Sequence, residues 1–198
     1  MARIEELLNR RRILIADGAW GTELAKRGLG AGDCPEMWNI DHPADVAAVA
    51  EAYVQAGAEI ILTNTFGASP VKLARFGLQQ RTHELNEAGA AISREAADGK
   101  ALVFASVGPT GEFMEPLGSI TLEQMIECFS EQIRGLADGG ADAILVETMA
   151  DLGEAKAALQ AARAVAPHLP VAVSMTFSPG PAGFATMMGV KPDQAARE

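Results

Sequence analysis

Two carboxylates stand where chemistry is easiest to build. Asp17 follows the apolar run Ile13-Leu14-Ile15-Ala16, and Glu147 follows Ala143-Ile144-Leu145-Val146. An acidic residue directly after a buried strand sits at that strand's tip, where parallel α/β proteins place their reactive groups. Two such residues on one rim make an acid/base pair, or a clamp on an ammonium group. Gly18 lets a ligand approach backbone N–H groups closely, which suits a carboxylate. Carboxylate side chains beside exposed amides amount to an amino-acid receptor. Taken singly, Asp17-Gly18 reads more simply as a strand-ending turn, and Glu147 as a rim salt bridge to an arginine. Four apolar residues immediately before Glu147 weaken that second alternative.

Aromatic residues make up only 5% of the chain, yet Trp20, Trp38, Phe66 and Phe113 fall in the loops of the same rim. Aromatic faces hold a quaternary ammonium by cation–π attraction, although loop aromatics more often just pack the loop. Gly108-Pro109-Thr110-Gly111-Glu112 reads as a tight loop on that rim. It is weak as a phosphate cradle, having no lysine. Cys34, Cys128, His42, His83 and His168 are scattered, with no HExxH, CxxC or adjacent cysteine pair. No zinc set is legible in them. Cys128 lies on a helical stripe and reads as a small buried hydrophobe.

The elements that must position these groups alternate. Strands are expected at Ile13–Ala16, Ile60–Thr63, Leu102–Ser106, Ala143–Val146 and Val171–Met175. A helix starts at Asp41-His42-Pro43 and closes at Gly57, with Pro suited to the first turn. A helical stretch from about Pro70 to Ala97 breaks near Gly77. Thr121 with Gln124 has capping-box spacing, ahead of the stripe Met125, Ile126, Phe129, Ile133 and Leu136. Asp151 with Glu154 reads as the cap of a helix to about Val165, and Lys191-Pro192-Asp193 as the start of another. Residues 55–65 and 138–148 echo each other as helix end, glycine, strand and polar tip. Any βα protein repeats that grammar, so the echo adds little. Continuous apolar strands alternating with helices mean a parallel sheet covered by helices. Asp17-Gly18-Ala19-Trp20-Gly21-Thr22 lacks the GxGxxG spacing of a dinucleotide-binding sheet, and the polar strand tips favour a barrel. The expected fold class is therefore α/β, a (β/α)8 TIM-barrel type that is incomplete, with about five βα units present.

The chain has 198 residues, 48% of them hydrophobic and 21% charged, enough for a real core. Sixteen Lys and Arg against 26 Asp and Glu give a formal charge of −10. That acidity argues against nucleic acid and anionic membrane surfaces as partners. Two cysteines are too few for a disulfide scaffold. The charged, amphipathic Met1–Leu8 is unlike a signal peptide, and no apolar stretch is long enough to span a bilayer, so a soluble cytoplasmic protein is expected.

Taken as a set, Asp17-Gly18-Ala19-Trp20-Gly21-Thr22-Glu23, Thr63-Asn64-Thr65-Phe66-Gly67-Ala68, Val107-Gly108-Pro109-Thr110-Gly111-Glu112 and Val146-Glu147-Thr148 resemble the homocysteine S-methyltransferase family in order and spacing. Residues 32–43 and 186–190 look most like its bacterial betaine–homocysteine branch. The resemblance implies a (β/α)8 barrel domain over residues 1–198, its C-terminal part missing. It implies that Asp17 and Gly18 contact the amino-acid end of homocysteine and that Glu147 holds its amino group. It further implies a zinc ion held by three cysteines, one after strand six and an adjacent pair after strand eight, all beyond residue 198. Cys34 and Cys128 match none of these, so this chain alone is expected to lack catalytic residues, metal ligands and activity. With betaine as methyl donor, Trp20 and Trp38 are the candidate aromatic contacts. With methylcobalamin, the rim must stay open for a large corrinoid partner.

Two readings compete with this one. A non-catalytic half-barrel would assemble with itself or with a completing chain, because unpaired sheet edges need covering. A parallel-sheet enzyme of other chemistry would use Asp17 and Glu147 as acid and base.

Overall fold

The computed structural model describes residues 13–198 apart from Ala182; the amphipathic Met1–Leu8 segment lies outside the described residues. The helices are α1 (Trp20–Ala25), α2 (Trp38–Asp41), α3 (Pro43–Gln55), α4 (Pro70–Leu73), α5 (Thr82–Ala97), α6 (Leu122–Asp138), α7 (Leu152–Val165) and α8 (Pro192–Ala195). The strands are β1 (Ile60–Leu62), β2 (Leu102–Val107), β3 (Ala143–Met149), β4 (Val171–Met175), β5 (Ser178–Gly180) and β6 (Gly183–Ala185). Strands β1 to β4 form one parallel sheet in sequence order, and β5 and β6 a small antiparallel pair. Registers run Ile61 to Val103, Ala105 to Ile144 and Leu145 to Ala172.

Local chemistry sets the helix ends. The Thr121 hydroxyl accepts the Gln124 N–H while the Gln124 side chain accepts the Thr121 N–H, the reciprocal cap anticipated for α6. Asp151 caps α7 by accepting from Gly153 and Glu154 N–H, but the Glu154 side chain turns elsewhere. Gly57, at φ 96°, closes α3 in the left-handed conformation open to glycine. Gly77 marks the break between α4 and α5.

All the larger helices bury against one face of the sheet. Phe129, Ile133 and Leu136 of α6 and Ala157, Ala158 and Ala161 of α7 meet Val107, Ile144 and Val146. Ala50 of α3 and Ala97 of α5 meet Ile61 and Val103. Helices α5 and α6 approach closely, since a Cβ on Gly135 would stand 2.5 Å from the His83 carbonyl oxygen. The fold is thus α/β, a parallel sheet with its larger helices on one face, unlike a doubly wound sheet covered on both. Leu14, Ile60, Phe104, Ala143, Val171 and Ala172 line a cavity of about 380 Å³ involving the other face.

The first expected strand is corrected. Ile13–Ala16 is not a buried strand: Ile13 is 79% and Ile15 62% exposed, and a single parallel bridge joins Ala16 to Ile60. The segment still runs along β1, with Ile60 N–H donating to the Ile15 carbonyl and Asp17 N–H to the Ile60 carbonyl. It is an edge with one neighbour among the described residues, so half its backbone and most of its side-chain surface are unpacked. No described helix is long and apolar enough to cross a membrane.

Candidate functional site

The edge bonding to β1 brings Asp17 to that strand's tip. Its Oδ2 accepts from the Leu62 N–H at 2.7 Å and from the Trp20 indole N–H at 2.8 Å. Its Oδ1 is buried with no partner among the described residues. Burial pushes the Asp17 carboxyl above its ordinary pKa, the negative charge of Glu147 adds to the rise, and the two hydrogen bonds oppose it. A buried acceptor left unpaired is costly, and an entering donor would relieve that cost.

Glu147 sits near the tip of β3, two strands away from β1. Its Oε1 accepts from the Ser106 hydroxyl on β2. Ser106 is paired with Leu145, so Glu147 lies one diagonal step away on the same face of the sheet, within reach of a long side chain. Glu147 and Ser106 line a cavity of about 300 Å³, together with Gly18 and Trp20. Its other walls are Pro35 and Glu36 on one side and Leu62 through Phe66 on another. No lysine, arginine or histidine is among these lining residues, so the cavity favours a ligand carrying positive charge.

Hydrogen bonds between distant segments hold the walls. Thr63 and Thr65 hydroxyls meet at 2.5 Å; Thr65 donates to the Ser106 carbonyl and Ser106 N–H donates to Thr63. Gln132 of α6 donates to the Thr65 carbonyl from below. Asn64 donates to Pro35 O and to Asn39 Oδ1, while Asn39 donates back to the Asn64 carbonyl. Glu36, buried at the cavity wall, accepts the Gly67 N–H at 2.7 Å and the Cys34 thiol. A Cβ on Gly67 would fall 2.6 Å from the Glu36 carboxylate oxygen, so a larger residue there would displace that carboxylate from its bond to the backbone. The 108–112 loop is held likewise: Glu154 accepts both the N–H and the hydroxyl of Thr110.

The sequence-derived candidates are distributed unevenly. Gly18, Trp20 and Glu147 line the cavity, and Asp17 backs its wall through Trp20 and Leu62. Trp38 is not brought there. It is buried with Leu24, Val46 and Val49, its ring 4.3 Å from that of His42. Phe66 lines the cavity with the Lys72 ammonium 4.7 Å above its ring, whereas Phe113 is not among the lining residues. The roles of Glu36 and Ser106 were not anticipated from sequence. Their partners lie 31 and 41 residues away, and no local pattern announces them.

The described residues do not fit a zinc ion. They contain no group of three or more His, Cys, Asp or Glu side chains able to hold a metal. Burial pushes both thiols, Cys34 and Cys128, up to about 11, so each stays protonated at neutral pH.

The chain is an α/β protein built on a parallel sheet, with a small cavity of acidic lining at the strand tips. Over residues 14–198 the chain matches the family model described as homocysteine S-methyltransferase, and it belongs to that family. It is 33% identical over 181 residues to a methionine synthase of Mycobacterium leprae (strain TN). It is 34% identical over 181 residues to a methionine synthase of Mycobacterium tuberculosis (strain ATCC 25618 / H37Rv). Each alignment covers 83% of this chain and 15% of the relative's length. Among solved structures, the metallated form of the homocysteine methyltransferase MmuM from Escherichia coli gives a TM-score of 0.74 at 25% identity, over 84% of this chain and 64% of that one. The oxidised form gives 0.73 at 26% identity, over 85% and 63%. The chain thus spans a small part of the methionine synthases it resembles and just under two thirds of MmuM.

Proposed function

We propose that the rim cavity binds homocysteine as the acceptor of an S-methyl transfer that yields methionine. One observation carries the reading: Glu147 at the β3 tip lines, and Asp17 at the β1 tip backs, a cavity whose lining holds no cationic side chain. In this arrangement Glu147 takes the substrate ammonium, and Asp17 adds its charge behind the wall. Gly18, exposed at the mouth, leaves room for the substrate carboxylate beside backbone N–H groups. A thiol of ordinary pKa, near 8.5, is mostly protonated at neutral pH and a poor nucleophile. The zinc expected of the family finds no ligand set among the described residues. What these residues supply is binding, orientation and exclusion of water.

For the donor, the motif likeness of residues 32–43 and 186–190 supports betaine, whose trimethylammonium suits the acidic lining and the face of Trp20. With Trp38 in the core, a cage built from both tryptophans is not the form it would take. The likeness to proteins named methionine synthase favours a second donor, methylcobalamin, which demands a wide mouth. Methionine formation assayed with each donor separates them. The open edge of β4 supports assembly with a second copy or a completing chain, which light scattering reads directly. The test of the acceptor is calorimetry with L-homocysteine. Glu147→Gln removes a charged partner in a half-buried site and should weaken binding by about 10- to 100-fold. Unchanged affinity would remove Glu147 from the site.

A further inference from the structure

Thr148, directly after Glu147, has φ 64°. A β-branched residue in the left-handed region is a genuine outlier, because its side chain crowds the backbone there. Asp98, the other non-glycine residue with positive φ among those described, ends a helix, where such a turn is ordinary. Thr148 lies inside a strand. The ladder shows what happens around it: Val146 pairs with Val173, but Met149 pairs with Met175. Three steps on β3 match two on β4, so β3 carries one extra residue, a β-bulge.

The bulge changes which way the side chains face. Ile144 and Val146 join the helix-facing core, and strict alternation would send Thr148 there next. Met149 is found there instead, fully buried, while Thr148 is exposed. Beyond the bulge the chain is fixed again: Thr176 N–H donates to the Met149 carbonyl, and Asp151 caps α7. Before it, Val146 is held in register with both neighbouring strands. The mismatch is absorbed at one residue. The Thr148 side chain makes no hydrogen bond to the described residues that would explain its conformation.

We propose that Thr148 is a positioning residue, whose left-handed backbone bends the end of β3 so that Glu147 is held over Ser106 at the cavity while Met149 anchors the strand end in the helix-facing core. Bulges of this kind re-aim side chains beside functional sites. The proposal rests on the acceptor-site reading of Glu147 and adds how that carboxylate is aimed. It assigns the effect to the backbone and not to the threonine hydroxyl.

The test compares wild type, Thr148→Gly, Thr148→Val and Thr148→Pro by melting temperature and by calorimetry with L-homocysteine and with 4-mercaptobutanoate, its analogue without the ammonium. Glycine takes the left-handed turn freely, so Thr148→Gly should keep homocysteine affinity within about twofold and melt about 2 °C higher. Thr148→Val should keep affinity within about twofold. Thr148→Pro, locked near φ −65°, should lose tenfold or more for homocysteine with little change for the analogue. A folded proline variant with wild-type affinity overturns the proposal, as does a tenfold loss in the glycine or valine variant. If the proline variant does not fold, the melting order decides: a glycine variant that melts below wild type overturns it. A wild type that binds no homocysteine counts instead against the function proposed above, and the melting order still judges the turn.

Discussion

Strands β2 and β4 carry much the same kind of sequence, Leu-Val-Phe-Ala-Ser-Val and Val-Ala-Val-Ser-Met, and meet opposite fates. Of the six residues of β2, only Phe104 is not buried; in β4 none is buried, and Val173 is 45% exposed. The difference lies in the neighbours. Strand β2 has β1 and β3 on its edges and helices α5 and α6 on one face. Among the described residues, strand β4 has one partner strand and a groove of about 270 Å³ between it, α7 and the α8 segment. The cavity is assembled on the enclosed side, from β1, β2 and β3, where walls are fixed by tertiary hydrogen bonds. Preorganised recognition needs such walls, and the open flank has none to offer.

The contrast can be broken by substitution. Val103 is fully buried on β2, so Val103→Ala should cost about 2 kcal/mol in denaturant unfolding. A smaller and subtler effect should come from the buried Glu154, which holds the 108–112 loop of the enclosed side. Burial raises its pKa above the ordinary carboxylate value, against the lowering from its Thr110 hydrogen bonds. A carboxyl with a raised folded-state pKa contributes stability that is fully present below its unfolded pKa and is lost as pH rises through the folded value. Glu154→Gln stays neutral and keeps an acceptor for Thr110. The melting temperature of the variant relative to wild type should therefore increase from pH 4 to pH 7; a constant difference would show that the charge is not strained there. The smallest effect belongs to the open flank. Val173→Ala should cost less than about 0.5 kcal/mol, and a loss equal to that of Val103→Ala would mean that β4 is covered in solution.

How far the sequence could be read follows the same divide. Helix ends depend on neighbours three or four residues away, so Thr121 with Gln124 and Asp151 with the α7 N–H groups were legible. The placement of Glu147 at the cavity, with Asp17 behind its wall, was legible and follows from parallel strand tips sharing one end of the sheet. The bulge at Thr148 and the roles of Glu36 and Ser106 were not, because each depends on segments brought together only by folding. Trp38 shows the limit from the other side. An aromatic in a rim loop can face the ligand or the core, and the apolar stripe Leu24, Val46 and Val49 draws it inward. The same logic misreads Ile13–Ala16, whose apolar run predicts burial that its one-sided pairing does not deliver.

The central claim is that the carboxylates at the β1 and β3 tips recognise an ammonium group. Calorimetric titration of the wild-type protein with L-homocysteine and, separately, with 4-mercaptobutanoate reads it directly. The account expects homocysteine to bind at least tenfold more tightly, with that preference lost in Glu147→Gln. Equal affinity for the two thiols in the wild-type protein would contradict it.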